Sequence, residues 1–115
     1  MDDKLIEASM SIILNAGDAR VSCKKALDAI AAFDFDKARL YLKDANNKIV
    51  LAHKVQTDAI SDETKGEKRE YSVLFAHAQD TLMTIYSELN IAKQLLNISE
   101  SFSNRISVIE EKMKG

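Results

Sequence analysis

Proline is absent from the 115 residues, and glycine occurs three times. These two residues are the usual interruptions of a helix, so their scarcity favours a few long, unbroken helices. There is a single cysteine, Cys23. One thiol cannot close an internal disulfide, so a reducing compartment is the natural expectation. Cys23 and the two histidines, His53 and His77, do not make a zinc-ligand spacing. A glycine-rich phosphate loop is lacking, which removes nucleotide binding. The net charge of −2 carries no concentrated basic face, so no nucleic-acid partner is expected. No stretch approaches the roughly 20 apolar residues that span a bilayer. Met1-Asp2-Asp3-Lys4 has no basic region leading into an apolar run, as a secretory signal would. The expectation is a cytoplasmic protein without direct membrane insertion.

What is present fits one globular domain over residues 1–115, with 46% apolar and 30% charged residues. A first helix is predicted from about Lys4 to Ala32, with Asp2 or Asp3 at its start. Leu5, Ser9, Ile12, Ala16, Ala19, Cys23, Ala26 and Ile30 are spaced alternately four and three apart and share one stripe. Gly17 interrupts it, either as a tolerated cost of about 1 kcal/mol or as a point of close helix approach. After Phe33, Asp34 is placed to cap a second helix reaching about Ile60. Its inward stripe is Ala38, Tyr41, Ala45, Ile49, Ala52, Gln56 and Ala59. The run Ser61–Glu70, without aliphatic residues and with Gly66 near its middle, reads as a loop. A third helix then extends from about Ser72 towards Lys112.

The third helix is too apolar for one seam. Leu82, Ile85, Leu89, Ala92, Leu96 and Ile106 form one stripe, while Val73, Ala76, Met83, Ile91 and Ile98 spread apolar character over a second. Two partner helices cannot cover both faces, and packing between subunits is the economical explanation.

His77 lies in the segment Phe75-Ala76-His77-Ala78-Gln79-Asp80-Thr81-Leu82-Met83. On a helix, His77 and Asp80 share a face, Thr81 flanks them and Gln79 serves another surface. The small Ala76 and Ala78 leave the imidazole accessible. Either His77 is a partly buried packing residue or it is a nucleophile with an acidic neighbour. An imidazole of ordinary pKa, about 6.5, is largely neutral at pH 7, the form a nucleophile needs. Asp80 on the second apolar stripe needs a lysine or arginine partner, a proton or a cation. Oxygen ligands would favour magnesium or calcium over zinc. His53 and Gln56, also on one face, form either a polar structural pair or part of a site. Cys23, within an apolar stripe, reads as structural.

Several segments resemble the lactose/cellobiose-type enzyme IIA family of the bacterial sugar phosphotransferase system, in the family's order and spacing. They are Asn15-Ala16-Gly17-Asp18-Ala19-Arg20, Asp34-Phe35 followed by Ala38, Ala52-His53-Lys54-Val55-Gln56-Thr57, and Tyr71-Ser72-Val73 leading into His77-Ala78-Gln79-Asp80-Thr81-Leu82-Met83. The resemblance reaches about Leu96, and its most specific part is the His-x-Gln-Asp-x-Leu-Met run. It implies an all-α, antiparallel three-helix bundle assembling as a homotrimer. It also implies that His77 accepts a phosphoryl group from the phosphocarrier HPr and passes it to a cysteine of the cognate enzyme IIB, in uptake of a lactose- or cellobiose-type disaccharide. Asp80 would lie near the three-fold axis, where three subunits share one magnesium ion. Thr81 stands where the family usually has a second histidine, and Phe33 where its inter-helix turn has glycine. The alternative is a non-catalytic helical interaction or regulatory module that keeps the same fold.

Overall fold

The structure, a computed structural model, describes residues 3–64 and 72–115. Three helices appear in order: α1 (Asp3–Ala31), α2 (Phe35–Thr64) and α3 (Val73–Lys114). The described residues contain no strand. The molecule is elongated, 72 × 20 × 18 Å, because a 42-residue α3 alone spans about 63 Å.

Each boundary has a local cause. The α1–α2 turn is a Schellman-type stop: Asp34 N–H donates to the Ala29 carbonyl and Phe33 N–H to the Ile30 carbonyl, each at 2.9 Å. Phe33 takes the left-handed position of that motif, with φ 58°. Glycine holds this position at no steric cost, whereas an L side chain there costs about 1–2 kcal/mol. The Phe33 ring packs against Phe35, with centroids 5.3 Å apart, which offsets part of that cost. Asp34 caps α2, its carboxylate accepting the Lys37 N–H at 3.2 Å. Ser72 caps α3, its hydroxyl accepting the Phe75 N–H at 3.1 Å. Lys112 and Lys114 complement the negative end of α3.

The eight-residue α1 stripe is buried throughout, joined by Ser22 and Ala29. On α3, Leu82, Ile85, Leu89, Ala92 and Leu96 face the core. On α2, Ala38, Ala45, Ile49, Ala52 and Ala59 do so. Leu42 fills the place expected for Tyr41, which is half-buried at the edge with the Lys25 ammonium 5.8 Å from its ring. Gln56 is likewise only half-buried, so the seam makes no full demand on its amide.

Two other expectations are corrected, and one of two alternatives is removed. Helix α2 continues past Ile60 through Thr64, because Ser61-Asp62-Glu63-Thr64 lacks apolar periodicity yet contains no helix breaker. The rest of the expected loop, residues 65–70, lies outside the described residues, as does Asp2. Ile106 is 43% exposed rather than part of the core stripe, because α3 has by then passed the end of the bundle. Gly17 is exposed and a Cβ there would meet nothing within 4 Å, so it marks no close approach.

Helix α1 contacts both α2 and α3 more extensively than those two contact each other. The antiparallel register of α2 and α3 is read from Arg39–Glu100, Asn46–Lys93 and His53–Tyr86, where seven residues up α2 match seven down α3. Arg20–Glu88 ties α1 to α3. Leu89, 0% exposed at the centre of this arrangement, is expected to lose about 2–5 kcal/mol of stability on Leu89→Ala. Urea unfolding at fixed protein concentration measures it.

Candidate functional site

His77 is the fifth residue of α3, just past the turn that Ser72 caps. It is exposed, and among the described residues its imidazole makes no hydrogen bond. The same register steps place Ile60 level with Gln79, so His77 sits beside the last turn of α2, near one end of the bundle. Ala78 next to it is fully buried against the other helices. Its side chain points into the core, about 100° around the helix from His77.

Thr81 does not stand in for a ring at the site. Its hydroxyl donates to the His77 carbonyl at 2.8 Å and is thereby occupied within its own helix. Thr84 does the same with the Asp80 carbonyl at 2.9 Å. Asp80 is exposed, one turn from His77 on the same face. Its carboxylate has no ion pair among the described residues, so the lysine or arginine partner expected as one possibility is not realised there. Among the described residues no group of three or more His, Cys, Asp or Glu side chains could hold a metal ion.

The structure separates His53 from His77. The His53 ring packs edge-on against Tyr86, with centroids 5.3 Å apart. Tyr86 lies nine residues along α3 from His77, about 13 Å of helix axis. His53 therefore packs at the level of Tyr86, and Gln56 falls at the level of Met83; both lie further along α3 than His77. Tyr86 has no signal in the sequence, since which residues of α2 and α3 meet depends on their relative height.

A second feature lies further down α3. A cleft of about 290 Å³ between α1 and α3 is lined by Arg20, Cys23, Leu27, Glu88, Ile91 and Leu95, among others. Burial pushes the Cys23 thiol above its ordinary pKa, and the nearby Glu88 adds to that. A protonated buried thiol is unreactive, in keeping with its place in the stripe. Arg20 donates to both Glu88 carboxylate oxygens, at 3.0 and 2.6 Å. This bidentate pair holds Glu88 below its ordinary pKa of 4.5.

Residues 7–100 match the family described as PTS system, Lactose/Cellobiose specific IIA subunit. A lactose-specific EIIA component of Staphylococcus epidermidis is 38% identical over 96 residues, covering 84% of this chain and 92% of that protein. A lichenan-specific phosphotransferase enzyme IIA component of Bacillus subtilis is 32% identical over 105 residues, covering 91% and 96%. In three dimensions the chain is similar to the cellobiose-specific enzyme IIA of Bacillus anthracis, with TM-score 0.84 and 31% identity, over 90% of this chain and 95% of that one.

Because Glu88 has a lowered folded-state pKa, its stabilising effect is present above the unfolded value of 4.5 and lost as pH falls through the folded value. Stability should therefore drop on acidification below about pH 4.5. Glu88→Gln should remove part of that drop, seen as a shallower acid limb in thermal melts across pH 3 to 6.

Proposed function

The chain belongs to the lactose/cellobiose-specific IIA family of the sugar phosphotransferase system, and we propose that His77 is its phosphoryl carrier. The observation that carries this reading is the position of His77. It is exposed near the capped end of α3, its ring is free of hydrogen bonds among the described residues, and it lies within the matched His-x-Gln-Asp run. A protein donor and a protein acceptor must each bring a reacting atom to the phosphorus in line, which an open histidine at the end of a bundle allows.

The donor is phosphorylated HPr. A neutral imidazole nitrogen of His77 attacks the phosphorus, the bond to the donor's nitrogen breaks, and phosphohistidine forms on this chain. In the second half, a cysteine thiolate of the cognate enzyme IIB attacks the same phosphorus. The P–N bond breaks, and the imidazole returns unmodified. Transfer of this kind relies on positioning and needs little acid–base chemistry from the carrier. It takes place in the cytoplasm and serves uptake of a lactose- or cellobiose-type disaccharide. No helix among the described residues is long and apolar enough to cross a membrane.

The working assembly is a homotrimer. Val73, Met83, Ile91 and Ile98 remain exposed in the single chain, leaving an apolar face for other copies. Asp80 lies on that face. Three copies around a common axis would set like charges together, which a shared divalent cation relieves. Exposed, unpaired carboxylate oxygens suit magnesium, and Asp80 from each copy would hold it. The ion would neutralise the axis and stabilise the assembly, while phosphoryl transfer stays with His77.

Incubation with phosphorylated HPr should label the protein with an acid-labile, alkali-stable phosphate that His77→Ala abolishes and His53→Ala leaves unchanged. Labelling that survives His77→Ala would sink the assignment. A wild type that takes no label from this donor would favour the non-catalytic module.

Chelation should lower the melting temperature of the wild type, and Asp80→Leu should remove that sensitivity while leaving a trimer in light scattering, since it replaces clustered charge by an apolar side chain. A wild type indifferent to chelator, paired with an Asp80→Leu protein that falls to monomers, would point to a salt bridge between copies instead.

A further inference from the structure

A cavity of about 250 Å³ borders the α1–α2 turn, at the end of the bundle away from His77. Lys25, Asp28 and Ala29 of α1 line it, with Ala32 and Asp34 of the turn and Lys37 and Tyr41 of α2. Helix α3 contributes none of these residues, so a contact through the exposed face of α3 leaves the cavity uncovered. The Arg20–Glu88 tie sets each α1 residue level with the α3 residue 68 further on, which puts Ser9 level with His77. Ala29 is twenty residues further along α1, about 30 Å of helix axis. The cavity is therefore separate from the histidine site.

Its carboxylates have partners and its ammoniums do not. Asp28 already receives the Lys24 ammonium at 2.6 Å. One Asp34 oxygen accepts the Lys37 backbone N–H at 3.2 Å. Neither Lys25 nor Lys37 has an ion pair among the described residues. Lys25 instead lies over the Tyr41 ring, 5.8 Å from its centroid, and that attraction steadies a flexible ammonium at the cavity's edge. Asp44 is held below its ordinary pKa chiefly by Lys48 and Ser22, with Lys25 the smallest contributor. Its carboxylate accepts from Ser22 at 2.5 Å and from Lys48 at 2.8 Å, so it does not claim Lys25.

We propose that this cavity binds a small phosphate monoester of a polyol, of about hexose size. Phosphate oxygens meet the two unpaired ammoniums of Lys25 and Lys37, the charge-assisted contact each of them lacks. Hydroxyls of the polyol donate to Asp28 and Asp34, since a carboxylate has more acceptor sites than its present partner fills. Ala29 and Ala32 give a short apolar floor. The volume sets the upper size, because drug-sized ligands take about 300–1,000 Å³. The bound ester spans α1 and α2 and braces the turn that holds Phe33 at positive φ, while His77 stays open.

The test is an NMR titration of the amide resonances of full-length protein at constant ionic strength, with glucose 6-phosphate, inorganic phosphate and glucose as separate probes. Glucose 6-phosphate should shift the amides of residues 25–41 saturably, in the millimolar range or tighter. Inorganic phosphate should bind more weakly, and glucose more weakly still. Lys25→Gln and Lys37→Gln, both at exposed positions, should keep the circular dichroism of the wild type and each weaken binding by roughly three- to tenfold. Absence of saturable shifts at residues 25–41 would overturn the site, as would shifts gathered around His77 instead, or binding undiminished in both variants. Inorganic phosphate binding as tightly as the ester would overturn the polyol part of the assignment.

Discussion

Burial of the Leu82–Leu96 stripe of α3 against α1 and α2 sets the rotation of that helix, and rotation decides what every other residue on it can do. Each fully buried leucine or isoleucine contributes about 1.5–3 kcal/mol relative to exposure, so several together leave no competitive alternative rotation. With 100° between successive residues, His77 then points about 100° away from the core direction and Asp80 about 160° away. The histidine is turned to the side of the bundle, where a partner protein has access. The aspartate and the Ile91–Ile98 line are turned to the back, where another copy of the chain has access. One packing decision thus buries one side of α3 and leaves His77, Asp80 and the Ile91–Ile98 line exposed on the other.

Height along the bundle is a separate question, and polar ties answer it. Arg20–Glu88, Lys93–Asn46 and Arg39–Glu100 join different helices at intervals down α3. Two of these are ion pairs and one an ammonium-to-amide hydrogen bond, and exposed pairs of this kind contribute little net stability. Their effect is on register, since a slip of one turn would break all three together. That register puts His53 against Tyr86 instead of beside His77. It also leaves the last turns of α3 hanging beyond the α1–α2 turn, with polar residues where a core face would otherwise continue.

His77 is exposed, and its ring makes no hydrogen bond among the described residues. Neighbouring hydroxyls, Thr81 and Thr84, are satisfied by their own helix carbonyls. Asp80 is free of ion pairs among the described residues. The carrier role proposed for His77 would gain from such openness, because each tie to the ring would have to break at every transfer.

Much of this is legible in the order of residues. Helical periodicity is local, so the α1 stripe from Leu5 to Ile30, the cap at Asp34 and the doubly apolar character of α3 follow from residue spacing alone. His77 stands out through a short run of side chains and a resemblance to a family. Boundaries set by weak signals do not follow: Ser61 to Thr64 carry no apolar period, yet no breaker stops the helix before them. Tyr41 and Leu42 are adjacent and both apolar enough for the seam, and only packing against α1 chooses the leucine. The set of helices, their apolar stripes and the candidate histidine are therefore written into the chain, because they depend on neighbours within about four residues. The rotation of α3, the separation of His53 from His77 and the point where the bundle ends and α3 continues are settled only on folding, because they depend on contacts between residues up to 68 positions apart.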